Sequence, residues 1–170
     1  MNVKTRIGEA VQVLRDLGMP REQQNDRTAL CLLALLDLDP RKKWGEAADP
    51  RVGITPMMEF ARARYGVEYA PNTRETFRRF SVHQLVQAGL VVPNPDNPSR
   101  PVNSPKTVYQ IAPDAWRLLR TLKSKDWKNA LATYRARQGA LATRYARIRD
   151  LKRIPVRMDR SRALQLTPGA

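Results

Sequence analysis

Asn72-Thr-Arg-Glu-Thr-Phe-Arg-Arg-Phe-Ser-Val-His-Gln-Leu-Val-Gln-Ala-Gly-Leu-Val-Val92, then a polar loop with five prolines and three asparagines, then Lys106-Thr-Val-Tyr-Gln-Ile111, is the stretch that decides the fold. A helix, a tight turn at Gly89 and two β-rich pieces around a stiff loop have the make-up of a winged helix. Asn72 stands at a capping position with Glu75 three residues on, a capping-box spacing that starts the helix there. At about 100° per residue, Phe77, Val82, Leu85 and Ala88 share one arc and are expected to face a core. Thr76, Arg79 and His83 fall on the opposite arc, Thr73 and Arg74 sit at the exposed N-terminal end, and Arg78 lies near the apolar arc. Arginine pairs with guanine, and histidine or threonine reaches other base edges, so these residues suit a DNA major groove. The same arc also reads as a solvated helix face. The loop offers Asn94, Asn97, Arg100, Asn103 and Lys106 to a minor groove or a phosphate backbone. Its prolines already restrict it, so docking orders little that was free.

Upstream, residues 3–17 place Ile7, Val11, Leu14 and Leu17 at helical spacing, and Gly18 and Pro20 stop the helix. A second helix starts near Asn25 or Asp26 and runs to Leu38, apolar on nearly every side, as a core helix should be. The Trp44 to Gly53 stretch reads as a loop anchored by Trp44. Thr55-Pro56 offers an N-cap and a proline in the first helical position for a helix that carries Met57, Met58, Phe60 and Ala61 and ends at Gly66. Downstream, Pro113-Asp114 opens a helix with Trp116, Leu118, Leu119 and Leu122 on its apolar face. From Trp127 a long basic helix is expected, with Trp127, Leu131, Tyr134, Gln138, Leu141, Tyr145 and Ile148 as a seam and arginines 135, 137, 144 and 147 beside it. The expected organisation is a mainly α chain: a winged helix-turn-helix domain with a two-stranded wing over 1–124, a basic amphipathic helix over 125–153, and a short further segment over 154–170.

Charge is concentrated at one end. The chain carries a formal +15, of which residues 1–114 contribute +3 and residues 115–170 contribute +12. A nearly balanced winged region beside a basic arm suggests base readout in one part and phosphate attraction, by Arg144 and Arg147 among others, in the other. Cys31, the single cysteine, sits in the apolar run Ala29-Leu-Cys-Leu-Leu-Ala-Leu-Leu36 and reads as a buried small hydrophobe, which points to a reducing, cytoplasmic setting. No signal peptide and no membrane-spanning stretch is expected from the sequence.

His83, the only histidine, has neither the partners of a zinc site nor a nucleophile motif around it. Pro113-Asp114 with Asp126-Trp127-Lys128 formally fits the proline-aspartate, aspartate-x-lysine pattern of metal-dependent nucleases, and Asp150-Leu-Lys152 offers a second match. That chemistry needs carboxylates on adjoining strands sharing a Mg²⁺ ion, whereas Asp114 and Asp126 stand where helices begin and read as caps. No catalytic residue and no cofactor is therefore assigned to this chain.

The segments Asn72 to Leu90 and Asn94-Pro-Asp-Asn-Pro-Ser-Arg-Pro-Val-Asn-Ser-Pro-Lys-Thr-Val-Tyr-Gln-Ile111 closely resemble the N-terminal winged-helix domain of the PstI/BsuBI family of type II restriction endonucleases, over about residues 5–140. The Ile154 to Gly169 segment is similar to the start of that family's nuclease domain. The resemblance implies duplex DNA as partner, with Mg²⁺ needed by the full-length enzyme in a region not contained in these residues. Two other readings stand beside it: a free-standing winged-helix transcriptional regulator dimerising through the 127–153 seam, and an adaptor that sets its basic helix against an acidic protein.

Overall fold

The α2 helix, Asp26–Leu35, is the centre of the domain: every residue from Thr28 to Leu35 is buried. It is apolar on all sides, so other elements can cover it on all sides. The computed structural model describes residues 2–139; within it the chain divides into a unit over 1–131 and a second over 132–170, most of which lies outside the described residues. In the first unit α1 (Val3–Asp16), α3 (Ile54–Tyr65) and a helix over 74–87 pack around α2. Asn2 caps α1, its Oδ1 accepting from the amides of Lys4 at 2.7 Å and Thr5 at 3.3 Å. Asn25 caps α2, accepting from the Thr28 amide at 2.8 Å. Both asparagines satisfy amides that a helix start leaves without partners.

The boundaries of α2 and α3 differ from the sequence reading. The α2 helix ends at Leu35, with Asp37 in the left-handed region at φ +49°. The α3 helix begins at Ile54 with Gly53 as its cap, so Thr55 does not cap it and Pro56 is its third residue. Proline is tolerated there because the first four amides of a helix have no intrahelical partner anyway. Gly66 ends α3 with φ +69°, as its position suggested.

The sheet is small. Strand β1 (Val91–Pro93) pairs antiparallel with β2 (Tyr109–Ile111), Val91 opposite Ile111 and Pro93 opposite Tyr109. Val52 adds a bridge on the other side of Tyr109, with amide to carbonyl distances of 2.8 and 2.9 Å in the two directions. The Trp44 to Gly53 stretch is thus part of the sheet's support: Trp116 donates to the Ala47 carbonyl at 2.9 Å, and Gln110 to that of Asp49 at 2.6 Å. Trp44 is buried as expected, its indole N–H donating to Glu9 at 2.9 Å. Glu9 also pairs with Arg6, which is 1% exposed, and with Lys123. Burial pushes the Glu9 carboxyl up, but Lys123, Trp44 and Arg6 together outweigh it and hold it below its usual value.

The α6 helix, Pro113–Leu119, follows β2, and a further helix is described over 127–139. Asp114 lies inside the first turn of α6 rather than capping it, since Ala112 is the cap residue. Residues 140–153 of the expected basic helix, including Arg144 and Arg147, and all of 154–170 lie outside the described residues. No helix among the described residues is long and apolar enough to cross a membrane.

Candidate nucleic-acid interface

The 74–87 helix is built from three pieces: α4 (Arg74–Phe77), a π turn (Arg78–Val82) and α5 (His83–Gln87). A π turn carries one extra residue, so everything after it lags by about 100°, one residue step of an α-helix. That lag lines up Phe77, Ser81, Val82 and Leu85, all buried, and leaves Ala88 exposed, which corrects its expected place in the core. The sequence signal was the spacing of five from Phe77 to Val82, too wide for one ordinary helical face.

Ser81 explains the turn. Its hydroxyl lies 2.9 Å from that of Thr28 and accepts from Arg27 Nε at 2.8 Å, so a serine takes a core position because α2 supplies polar partners there. Tyr69 packs edge-on to Phe77 with ring centres 4.7 Å apart, fixing the chain just before the helix. A short 3-10 turn, Pro71–Thr73, leads in. Asn72 lies within it and makes no cap, and the expected capping box with Glu75 is absent; Glu75 pairs instead with Arg78.

With the lag included, Arg79, His83 and Gln87 run in one exposed line opposite the core, and Thr76, Phe80 and Gln84 form the stripe beside it. The Arg79 guanidinium makes no hydrogen bond and no ion pair among the described residues, and its carbon stands 5.8 Å from the Phe80 ring centre. The other expected contacts on this helix are partly engaged. Arg74 Nε donates to Thr55 Oγ1 on α3 at 3.1 Å, tying the two helices together. Arg78 is held by Glu75, whose carboxyl is pushed below its usual value by that arginine. The Thr73 hydroxyl donates to the Ala70 carbonyl.

The wing, between β1 and β2, is closed on itself. Asn94 is 2% exposed and sits in the left-handed region at φ +47°. Its Oδ1 accepts from the Val108 amide at 3.1 Å and Arg100 Nη1 at 2.9 Å, while its Nδ2 donates to the Arg100 carbonyl at 3.2 Å. Arg100 donates further to Asp96, at 2.9 and 3.2 Å, and to the Lys106 carbonyl at 3.1 Å. Asn94 is therefore a buried clamp, unavailable to a groove, and the Arg100 guanidinium is spent inside the loop. Arg100 in turn holds the Asp96 carboxyl below its usual value. Asn97, Asn103 and Lys106 remain exposed, and the side chains of Asn103 and Lys106 have no hydrogen-bond partner among the described residues.

No group of three or more His, Cys, Asp or Glu side chains that could hold a metal ion occurs among the described residues. Asp114 pairs with Arg117 in the first turn of α6, and Asp126 lies just before the 127–139 helix; neither is on a strand.

Residues 4–143 match the family model of the BsuBI/PstI restriction endonuclease HTH domain. The chain is 48% identical over 165 residues to the type II restriction enzyme BsuBI of Bacillus subtilis, an overlap covering 97% of this chain and 52% of that protein. With the type II restriction enzyme AplI of Arthrospira platensis it shares 37% identity over 168 residues, covering 99% and 52%. Among solved structures the SdaI restriction endonuclease is similar, with a TM-score of 0.72 and 32% identity, over 79% of this chain and 45% of that one. The chain thus spans about half the length of the curated relatives it matches.

Proposed function

The chain belongs to the BsuBI/PstI restriction endonuclease family, whose helix-turn-helix domain it carries, and from that premise we propose that it is the duplex-DNA-reading module of a type II restriction endonuclease. The 74–87 helix enters a major groove with Arg79, His83 and Thr76 toward base edges. Arg79 suits the O6 and N7 acceptors of guanine, which a guanidinium meets with two parallel hydrogen bonds. Thr73, Arg74 and Arg78 flank that line and face the phosphates. Asn103 and Lys106, at the wing, follow the neighbouring backbone or minor groove, and Arg100 acts indirectly by keeping the wing in shape. Arg144 and Arg147 add phosphate attraction from the basic C-terminal third. Cleavage belongs to the longer enzyme, with its Mg²⁺ held outside the residues described.

The observation that carries this reading is the exposed line of Arg79 and His83 on the 74–87 helix, together with a wing loop closed by its own hydrogen bonds. A surface already ordered before binding loses little entropy on docking. Binding of the chain to a labelled duplex, followed against salt concentration, tests it. Log affinity should fall by several units per unit of log salt, because neutralised phosphates release counterions. A flat line overturns the proposal.

A further inference from the structure

Phe80 inverts the usual preference. It is 52% exposed, while the adjacent Ser81 is fully buried. A phenylalanine in water beside a serine in the core runs against what each side chain favours. At ordinary helical spacing Phe80 would stand about 60° from Phe77, at the edge of the core-facing arc. The π turn gives that place to Ser81, holds it there through Thr28 and Arg27, and displaces Phe80 outward. Phe80 is the most exposed large apolar side chain among the described residues, and it lies next to Arg79, the one arginine of this helix whose guanidinium has no hydrogen bond. Positions where a sequence breaks a local rule and its neighbours hold the break in place are where function concentrates.

We propose that Phe80 reads the C5 methyl group of a pyrimidine in the major groove, on the base pair next to the one contacted by Arg79. This rests on the DNA reading proposed above. The major groove presents one apolar feature, the C5 methyl of thymine, and the same group stands on 5-methylcytosine. The 5.8 Å between the Arg79 guanidinium carbon and the Phe80 ring centre lies between one and two base-pair steps of about 3.4 Å, so the two groups are far enough apart to meet different base pairs. The cation also holds the ring in place, so the ring meets the methyl already oriented.

The test uses the 170-residue chain and a duplex that it enriches from a randomised pool. Each thymine is replaced in turn by uracil, and each cytosine in turn by 5-methylcytosine, so that only methyl groups change. At one position uracil should weaken wild-type binding about fourfold, the worth of one buried methyl, whereas Phe80→Ala binds both duplexes equally and Phe80→Leu keeps most of the difference. If the target carries cytosine there, 5-methylcytosine should tighten wild-type binding by the same factor and leave Phe80→Ala unchanged. Phe80 is at the surface, so thermal unfolding of the variants should match wild type. Methyl effects of equal size in wild type and Phe80→Ala at every position overturn this inference alone. Failure to enrich any duplex overturns the DNA-reading proposal, and this inference falls with it.

Discussion

Replacing Asn94 removes the clamp of the wing while leaving its exposed residues in place. Asn94→Ala loses three hydrogen bonds at 2.9 to 3.2 Å and leaves the Val108 amide and the Arg100 carbonyl without their partner. At about 1 kcal/mol each, less what water returns at the rim, they account for about 2–3 kcal/mol. The backbone adds to this: Asn94 has φ +47°, and alanine in the left-handed region costs about 1 kcal/mol more than asparagine, which tolerates it. The expected loss is about 3–4 kcal/mol in urea unfolding of the chain, with faster hydrogen exchange at the Val108 amide. Asn94→Gly separates the two terms, because glycine accepts positive φ; it should recover about 1 kcal/mol relative to Asn94→Ala. Asn94→Ala within about 0.5 kcal/mol of wild type, the range of ordinary surface changes, refutes the clamp. Equal losses in the two variants refute the backbone part.

The Arg100 guanidinium holds the Asp96 carboxyl below its usual value, so the pair's contribution is complete above the unfolded aspartate value and is lost as pH falls through the lowered folded one. Amide protection in the wing should therefore hold at neutral pH, decline below about pH 4, and lose this dependence in Asp96→Asn. Burial pushes the Cys31 thiol up to about 12, so a thiol reagent should leave it unmodified in the native chain at pH 8 and react at once in denaturant; fast native labelling contradicts its place in α2. Supercoiled plasmid incubated with the chain and Mg²⁺ should stay intact, and nicking abolished by Asp114→Ala or Asp126→Ala would show that those carboxylates were misjudged.

Elements with strong local signals were legible in the sequence. The apolar circumference of α2, the stop at Gly66 and the β-rich pieces on either side of the wing all follow from residue spacing and turn chemistry. What was not legible depended on partners distant in sequence. Ser81 is buried because Thr28 and Arg27, more than fifty residues away, receive its hydroxyl, and that contact creates the π turn, shifts the phase of the helix and exposes Phe80 and Ala88. Asn94 looked like one more polar wing residue; its role rests on the Arg100 and Val108 groups that the folded loop brings to it. Glu75, three residues after Asn72, has the capping-box spacing, but Arg78 takes its carboxylate. Val52 reads as loop because its partner, Tyr109, lies far away in the sequence.

The central claim, that the Arg79 line reads bases while the basic C-terminal third attracts phosphates, is tested most directly by comparing two variants on the enriched duplex and on random duplex of equal length. Arg79→Ala should lose about 1–3 kcal/mol on the enriched duplex and much less on the random one, flattening the preference with little change in salt slope. Arg144→Ala with Arg147→Ala should weaken both duplexes about equally and make the slope shallower. If Arg79→Ala also weakens both duplexes by the same factor, the 74–87 helix contacts phosphates only and the claim that it reads sequence is contradicted.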